Sequence, residues 1–322
     1  MSNFRTIISA KLSENKINYH TPVLFMGSCF TENIGRKLYE LKFPTLINPF
    51  GVLYNPSSVK QSIELLLDKK QLSQSDLGYY NEMYYSFFHD TEFSDMDKES
   101  CLHNINNTLS NASEFFQKTK YIIITFGTAW VYKYIKTGKI VSNCHKIPSK
   151  EFKREKLSVD EIYSAWKSLV EKINKFNPQV KIIFTVSPVR HWKDGAVENQ
   201  LSKSTLILAV HRLKDAFENI EYFNSYEIMM DDLRDYRFYD SDMLHPSKDA
   251  IEYIWANFLN TYFELETIQI LKEVEKIVRA EKHRPFNTET KAHAKFIQKL
   301  AEKKQILRKK YPFILFENNS EQ

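Results

Sequence analysis

The chain has 322 residues, 43% of them apolar, which is enough for a sizeable folded core and excludes a wholly disordered protein. Its formal net charge of +5 is too small for a nucleic-acid-binding surface, so we expect no nucleic-acid partner. Three scattered cysteines do not form a disulfide framework, and they favour a reducing, cytoplasmic location. Residues 1–20 contain no apolar segment typical of a signal peptide, and no apolar stretch is long enough to predict a membrane span.

Strand and helix patterns alternate along most of the chain. Apolar runs that stop at Gly27 and Gly127 are typical of buried parallel strands. The predicted elements are, in chain order, a strand at 22–26, a helix at 31–41, a strand at 43–47, helices at 57–68 and 102–116, a strand at 121–126, a helix at 158–177, a strand at 181–186, a helix at 199–218, a strand at 221–223 and a helix at 247–263. This order predicts an α/β fold with a three-layer, doubly wound parallel sheet of flavodoxin-like kind.

Three regions lie outside this alternation. The aromatic patch at 79–88 is expected to belong to the core or to a lid, and residues 128–156 form an insertion with a hairpin at Thr137 and Gly138. The tail is dense in Lys and Glu with apolar residues at helical spacing, and a second tail helix is predicted at 290–310. We therefore divide the chain into a domain of residues 1–263 and a charged helical extension of residues 264–322. The extension is expected to pack on the core as a helical hairpin, and the alternative is an arm that forms a homodimer or binds a partner.

The strongest local motif is Asp242-Met243-Leu244-His245-Pro246, which opens the last predicted core helix. A carboxylate three residues before a histidine can accept a hydrogen bond from the imidazole Nδ1–H. Such a bond fixes the tautomer of the ring and stabilises the imidazolium when the ring takes a proton. The motif therefore predicts a general base, His245, that is oriented by Asp242. An ordinary helix entrance is the alternative interpretation.

A second motif, Gly27-Ser28-Cys29-Phe30, lies between the first predicted strand and the first predicted helix. A sharp turn at this place lifts one side chain above the sheet edge, and the N–H groups of the helix N-terminus point at whatever binds there. Both Ser28 and Cys29 are chemically able to act as a nucleophile. A buried thiol beside a capping serine is the alternative.

Together the two motifs resemble the GSCFA family, a bacterial group related to the SGNH (GDSL-type) hydrolases. The resemblance spans roughly residues 20–262, and further blocks carry it in the same order. These blocks are Asn48-Pro49-Phe50-Gly51, Phe126-Gly127-Thr128-Ala129-Trp130, Asn143-Cys144-His145-Lys146 and Ser187-Pro188-Val189-Arg190-His191. The resemblance implies an SGNH-like domain and a hydrolase or acyltransferase acting on ester bonds.

The SGNH comparison also implies roles for single residues. In that superfamily the turn reads Gly-Asp-Ser-Leu, and ungapped register places the nucleophilic serine on Cys29 rather than on Ser28. We expect the helix N-terminus and a nearby protonated histidine to lower the pKa of the Cys29 thiol. We expect the Ser28 hydroxyl to cap the helix or brace the turn. Asp242 and His245 match the last block in full.

The oxyanion hole is the point at which the sequence departs from the SGNH pattern. Gly51 matches the glycine whose N–H is one donor, but the asparagine that supplies another donor three positions into the third block is replaced by Ala129. The candidate replacements are Thr128, Asn143 and His145, with Gly127 as a neighbouring backbone group. The sequence does not choose among them.

Arg190 and His191 follow the fourth predicted strand of the sheet, where they would bind a substrate carboxylate or phosphate or form structural salt bridges. The spacing of His89, Cys144 and His145 fits no standard zinc pattern, and no glycine-rich phosphate loop is present, so we expect neither metal nor cofactor. The resulting hypothesis is acyl transfer from a small-molecule ester or thioester through an acyl-enzyme. The alternative is a catalytically silent binding protein that keeps the fold, suggested by Ala129 and by the altered turn.

Overall fold

The computed structural model describes residues 6–8, 11–283 and 289–316. Its strands are β1 (Val23–Gly27), β2 (Thr45–Ile47), β3 (Leu77–Tyr80), β4 (Met83–Ser86), β5 (Tyr121–Phe126), β6 (Trp130–Tyr134), β7 (Lys139–Val141), β8 (Phe152–Lys156), β9 (Lys181–Val186) and β10 (Ile220–Phe223). Its helices are α1 (Cys29–Glu40), α2 (Pro56–Leu67), α3 (Lys98–Lys118), α4 (Val159–Phe176), α5 (Gly195–Ala216), the single turn α6 (Ser225–Glu227), α7 (Lys248–Tyr262), α8 (Leu265–Glu281) and α9 (Lys291–Lys310).

A five-stranded parallel sheet forms the centre of the molecule, in the order β10-β9-β5-β1-β2. Every residue of β1 and β5 is buried, as expected for strands covered by helices on both faces. Counted along the chain, the sheet strands follow the order 2-1-3-4-5 of flavodoxin-like doubly wound sheets. The predicted fold class is therefore confirmed.

Helices cover the two faces of the sheet, because alternate strand residues point to opposite sides. On one face Leu24 and Ile122 pack in one buried cluster with side chains of α2, α4 and α5. On the other face Phe25 and Ile123 pack in a second cluster with α1, α7 and the tail helices. The three layers that the sequence predicts are present.

The tail packs on the molecule through its apolar stripe. Leu271, Val274 and Ile277 of α8 are buried in the same cluster as α1 and α7, and α9 adds Leu300 and Leu307. This arrangement agrees with the helical hairpin expected from the sequence. A homodimer through these helices stays a prediction.

Two small antiparallel sheets lie outside the main one. The predicted hairpin at Thr137 and Gly138 joins β6 to β7, but β8 adds a third strand that the sequence did not reveal. Because β8 is mostly charged it lacks apolar alternation, and its Arg154 guanidinium instead stacks 4.4 Å from the Trp130 ring centroid. The aromatic patch forms a β3–β4 hairpin. In the part of the chain that the structure describes, no helix combines the length and apolar character needed to cross a membrane.

Candidate active site

The candidate residues gather at the carboxyl edge of the main sheet. After β1 the chain enters α1 on one face, whereas β5 and β9 are followed by segments that lead to helices on the other face. The point between β1 and β5 is therefore the topological switch point, beyond which doubly wound sheets bind their ligands. Gly27 ends β1 at this point, and Gly127 directly follows β5.

The turn after β1 needs a glycine. Gly27 has φ +134°, and a Cβ atom at this position would lie 2.2 Å from the carbonyl oxygen of Thr125 on β5. Hydrogen bonds fix the turn on both sides. Gly27 N–H donates to Asn48 Oδ1 over 2.9 Å, and Ser28 N–H donates to the Thr125 carbonyl over 3.2 Å. The backbone that presents the next two side chains is thus tied to β5 and to the loop after β2.

Cys29 is the first residue of α1 and is a partly buried free thiol. Burial raises the pKa of this thiol above its ordinary value, and the negative charge of Glu32 raises it slightly. The backbone N–H groups of Phe30 and of Cys29 itself act in the opposite direction, as does the positive charge of Lys203. We expected a lowered pKa from the helix N-terminus. That expectation was wrong in its net sign, because desolvation of the thiolate outweighs the favourable groups.

Ser28 occupies the N-cap position of α1, but its hydroxyl does not cap the helix. The side chain is 1% exposed, and its Oγ has no hydrogen-bond partner among the described residues. The expected capping or bracing role of this hydroxyl is therefore corrected. Across the described parts of the chain, no hydrogen bond links Ser28 or Cys29 to His245.

Asp242 and His245 form the hydrogen bond that their spacing predicts. Asp242 Oδ2 accepts from His245 Nδ1 over 2.6 Å, while Oδ1 accepts from the N–H groups of Leu244 and His245 over 2.8 and 2.9 Å. These bonds, first that from the His245 N–H, lower the pKa of Asp242 to about 2, so the carboxylate stays ionised. The proton of the neutral imidazole is therefore held on Nδ1, and Nε2 is left as a proton acceptor.

Arg190 anchors the loop that carries this pair. Its backbone N–H donates to the Leu244 carbonyl over 3.1 Å, and its guanidinium donates to the Met243 carbonyl over 3.3 Å. The guanidinium also stacks 4.2 Å from the ring centroid of Trp192. Arg190 and Trp192, with Tyr226 and Tyr239, line a cavity of about 320 Å³. Arg190 thus has both a structural role and a place beside a cavity.

His191 packs against Gly127 and Tyr54. A Cβ atom on Gly127 would lie 3.1 Å from Nε2 of His191 and 3.2 Å from the Tyr54 carbonyl oxygen. The His191 backbone N–H donates to Asn199 Oδ1 over 2.9 Å. Burial, and then the charge of Lys203, lower the pKa of His191 to about 4, so this ring is neutral near pH 7. A neutral imidazole is suited to hydrogen bonding rather than to ion pairing with a substrate anion.

The backbone donors nominated for the oxyanion hole already have acceptors within the protein. Gly51 N–H donates to the Asn48 carbonyl over 2.7 Å, and the N–H groups of Gly127 and Thr128 donate to the Tyr54 carbonyl over 2.7 and 3.0 Å. The Thr128 hydroxyl lies 3.1 Å from the hydroxyl of a serine on α5. These contacts brace the loop ends of the site and leave the oxyanion donors to be found elsewhere.

Asn143 and His145 lie against β4 and the segment that follows it. Asn143 Nδ2 donates to Asp90 over 3.4 Å, and His145 Nε2 lies 2.9 Å from the Ser86 carbonyl, to which it donates. Burial lowers the pKa of His145, so its ring is neutral. A cavity of about 370 Å³ opens beside Gly51 and Asp90. Among the described residues, neither candidate forms a hydrogen bond with Gly127, His191 or the Asp242 loop.

Lys203 of α5 belongs to the site, and the sequence analysis missed it. Its side chain is 1% exposed, and Nζ donates to the carbonyls of Gly127 and Ser187 over 2.6 and 2.7 Å. Burial lowers the pKa of Lys203 to about 7, whereas Cys29 raises it. The sequence did contain a signal. The polar residues Asn199, Ser202 and Lys203 lie on the helical face that continues as a buried apolar stripe.

Two family models match the chain. The model described as the GSCFA family matches residues 22–258, and the model described as GSCFA domain protein, C-terminal domain, matches residues 274–322. Among curated proteins, none matches this chain in sequence.

Several solved esterase structures resemble the chain distantly. A carbohydrate esterase family 3 structure from Clostridium thermocellum is 14% identical, with 78% of this chain and 96% of that one covered and a TM-score of 0.32. A family 3 carbohydrate esterase from Talaromyces cellulolyticus is 12% identical, with 48% and 60% covered and a TM-score of 0.27. An acetyl xylan esterase from Butyrivibrio proteoclasticus is 12% identical, with 77% and 64% covered and a TM-score of 0.37. The chain therefore spans less than two thirds of the last two proteins, and likenesses of this size carry no argument about activity.

Proposed function

Because the chain belongs to the GSCFA family, we propose that it is a hydrolase or acyltransferase that accepts acyl groups from a small ester or thioester onto Cys29. One observation carries this proposal above all. The 2.6 Å hydrogen bond from His245 Nδ1 to an ionised Asp242 prepares a base at the sheet edge where the Gly27 turn presents a thiol.

Cys29 is a better nucleophile than Ser28 for two reasons. The Ser28 side chain is 1% exposed, whereas the Cys29 side chain is partly exposed, so an incoming carbonyl carbon has better access to the sulfur. The N–H groups at the start of α1 also point to the sulfur and stabilise its anion. Since burial raises the pKa of the thiol, Cys29 needs a base to take its proton, and this need gives His245 its role.

Acylation would proceed as follows. The Cys29 proton passes to His245 Nε2 while Sγ attacks the acyl carbonyl carbon, and a tetrahedral oxyanion forms. Its collapse breaks the bond to the leaving group, which takes the proton back from the imidazolium. In the second half, water or another acceptor loses a proton to Nε2 as it attacks the thioester, and the Cys29 thiol is restored. Asp242 remains ionised throughout and stabilises the imidazolium.

These steps require His245 Nε2 to come within hydrogen-bonding distance of the Cys29 thiol. The described residues contain no hydrogen bond between the two, so His245 must move closer to Cys29 when substrate binds. Catalytic hydrogen bonds are often long in unliganded enzymes and tighten with substrate. The supporting geometry is that both members of the pair are about half exposed, at 50% for His245 and 44% for Asp242. Met243, which lies between the two members of the pair, has a φ of +59°, a conformation that L residues rarely adopt.

The oxyanion donors we propose are the N–H groups of Cys29 and Phe30. Both belong to the first turn of α1, where backbone N–H groups lack intrahelical acceptors, and both already act on the thiol sulfur. Each oxyanion donor typically stabilises the transition state of acyl transfer by about 3 kcal/mol. These two N–H groups would therefore offset much of the transition-state stabilisation that is lost where Ala129 replaces the asparagine.

The proposal is tested with p-nitrophenyl acetate and intact-mass detection of the acetyl adduct. The wild type and Ser28→Ala should form one adduct, whereas Cys29→Ala should form none. Cys144→Ala removes the other partly exposed thiol and is the matched control, so it should keep the adduct. An adduct that persists in Cys29→Ala and disappears in Ser28→Ala would make the protein a serine hydrolase.

The base is tested by the rate of the same acylation. His245→Ala and Asp242→Ala should each slow it by about 10³-fold or more, because base and orienting carboxylate act as a unit. Wild-type acylation rates in both variants would refute the base assignment. A wild type that forms no adduct with several activated esters would favour the alternative, a silent binding protein. A free thiol is kept reduced in the cytosol, so we propose a cytoplasmic location.

A further inference from the structure

A buried lysine lies under the candidate site. Lys203 projects from α5 to the carboxyl edge of the sheet, where its ammonium donates hydrogen bonds to the Gly127 carbonyl after β5 and to the Ser187 carbonyl after β9. It ranks among the largest fully buried side chains of the molecule. A buried lysine is rare in proteins unless it is paired, because desolvation of its charge costs several kcal/mol.

The two carbonyls satisfy only part of what the ammonium requires. Three N–H groups radiate from Nζ, and two of them meet carbonyl oxygens, which are dipoles and carry no net charge. The Tyr226 ring lies 6.0 Å away and supplies a weak additional contact. Among the described residues, the anionic group that acts on Lys203 is the thiolate form of Cys29, at the start of α1. Ser28, the residue before it, donates its N–H to the carbonyl of Thr125, two residues before Gly127, so the thiol and the ammonium both lie at the end of β5.

We propose that Lys203 is a positioning residue whose ammonium, held at the carboxyl edge of the sheet by the Gly127 and Ser187 carbonyls, stabilises the Cys29 thiolate. The inference deepens the proposed function and rests on it. When the Cys29 thiol gives its proton to His245, the sulfur becomes a thiolate, and the Lys203 ammonium stabilises that charge while keeping its own protons. The carbonyls of Gly127 and Ser187 hold the ammonium in place, so its field stays directed at the sulfur without further reorganisation.

The other ionisable groups around the pair oppose or modulate it. Glu32, one turn along α1, raises the pKa of Cys29. Tyr54, in the loop after β2, experiences the charge of Cys29, and His191, after β9, experiences that of Lys203. Since His191 is neutral near pH 7, it adds no competing charge there. Lys203 is thus a side-chain cation that lowers the pKa of Cys29, in addition to the backbone N–H groups of Phe30 and Cys29.

The test measures alkylation of Cys29 by iodoacetamide against pH in the full-length protein, with peptide mass spectrometry to separate the three cysteines. Lys203→Met keeps the volume and removes the charge. It should raise the apparent pKa of Cys29 by about one unit or more, and slow alkylation below that pKa by about tenfold. Lys16→Met is the matched control, because Lys16 also donates to a carbonyl, that of Thr261 over 2.7 Å, but lies outside the site. Its pH profile should match the wild type. An unchanged profile in folded Lys203→Met would overturn the proposal.

A second measurement does not need a Lys203 variant. With ¹³C-labelled lysine, NMR follows the titration of the Lys203 amine in the wild type and in Cys29→Ala. Coupling between two sites is reciprocal, so loss of the thiolate should lower the pKa of Lys203. Identical titrations would overturn the proposed stabilisation of the thiolate by Lys203 even if Lys203→Met fails to fold. Neither readout uses a substrate. Coupling between Lys203 and Cys29 without acyl adducts would remove only the proposed function, whereas adducts on Cys29 without coupling would remove only this inference.

Discussion

Gly27→Ala should be strongly destabilising, because the added methyl group causes both backbone strain and a steric clash. The φ of +134° is a region that L residues rarely adopt, and such strain costs about 1–3 kcal/mol. The new Cβ would also lie 2.2 Å from the Thr125 carbonyl oxygen, well inside the 3.0 Å below which real Cβ atoms are not found. Since that oxygen is backbone, β1 and β5 would have to separate, which weakens the hydrogen bond from Ser28.

We expect a total of about 4 kcal/mol, a large part of the usual 5–15 kcal/mol stability of a folded domain. In a thermal melt followed by circular dichroism, this corresponds to a fall in Tm of about 10 °C. Gly138→Ala is the matched control. Gly138 also has a positive φ, +67°, but nothing lies within 4 Å of its added Cβ. It should therefore lose only about 1 kcal/mol. Equal Tm values for the two variants would refute the argument from the Thr125 contact.

Two further predictions concern pH and the tail. The pKa of His191 is about 4 when folded and about 6.5 when unfolded, so the unfolded state binds more protons between these values and stability falls as the pH drops from 6.5 towards 4. Urea titrations measure the free energy of unfolding at each pH. Between pH 6.5 and 4.5, this free energy should fall by about 2 kcal/mol less in His191→Gln than in the wild type. Equal losses in the two proteins would contradict the lowered pKa of His191. Val274→Asp should unfold the main domain together with the tail, because Val274 is fully buried in the cluster of α1 and α7, whereas Leu265→Asp, at a residue 80% exposed, should not. If Val274→Asp melts in a single transition at the wild-type Tm, the packing of the tail contributes nothing to the stability of the main domain.

Local patterns predicted the main sheet and its helices well, because each element carries its own periodicity. The strand at 121–126 is observed at the predicted bounds, and the helix predicted at 158–177 is observed as Val159–Phe176. The missed elements lack such patterns. β8 is mostly charged, and the β3–β4 hairpin turns at Asn81 and Glu82, two residues with positive φ in place of a glycine-containing pair. Their pairing depends on neighbours distant in sequence, which a single strand does not encode.

The site shows the same division between local and distant information. The hydrogen bond from His245 to Asp242 could be predicted because it joins residues three apart within one turn. The sign of the Cys29 pKa shift could not, because it depends on how much of the thiol the surrounding loops cover. Lys203 was missed for a similar reason. It lies within a long helix, and only the assembled sheet places its ammonium between two strand-end carbonyls.

A thiol nucleophile changes what the surrounding site must provide. A serine needs a base and strong oxyanion donors at the moment of attack, whereas a buried cysteine first needs help to ionise. In this chain the third block lacks its asparagine, and the Ala129 N–H is instead held by Ser202 on α5 over 2.8 Å. The next residue of the same helix is Lys203. The helix that braces the altered loop is therefore also the one that holds a buried ammonium against the ends of β5 and β9, so Ala129 and Lys203 belong to one packed arrangement around α5.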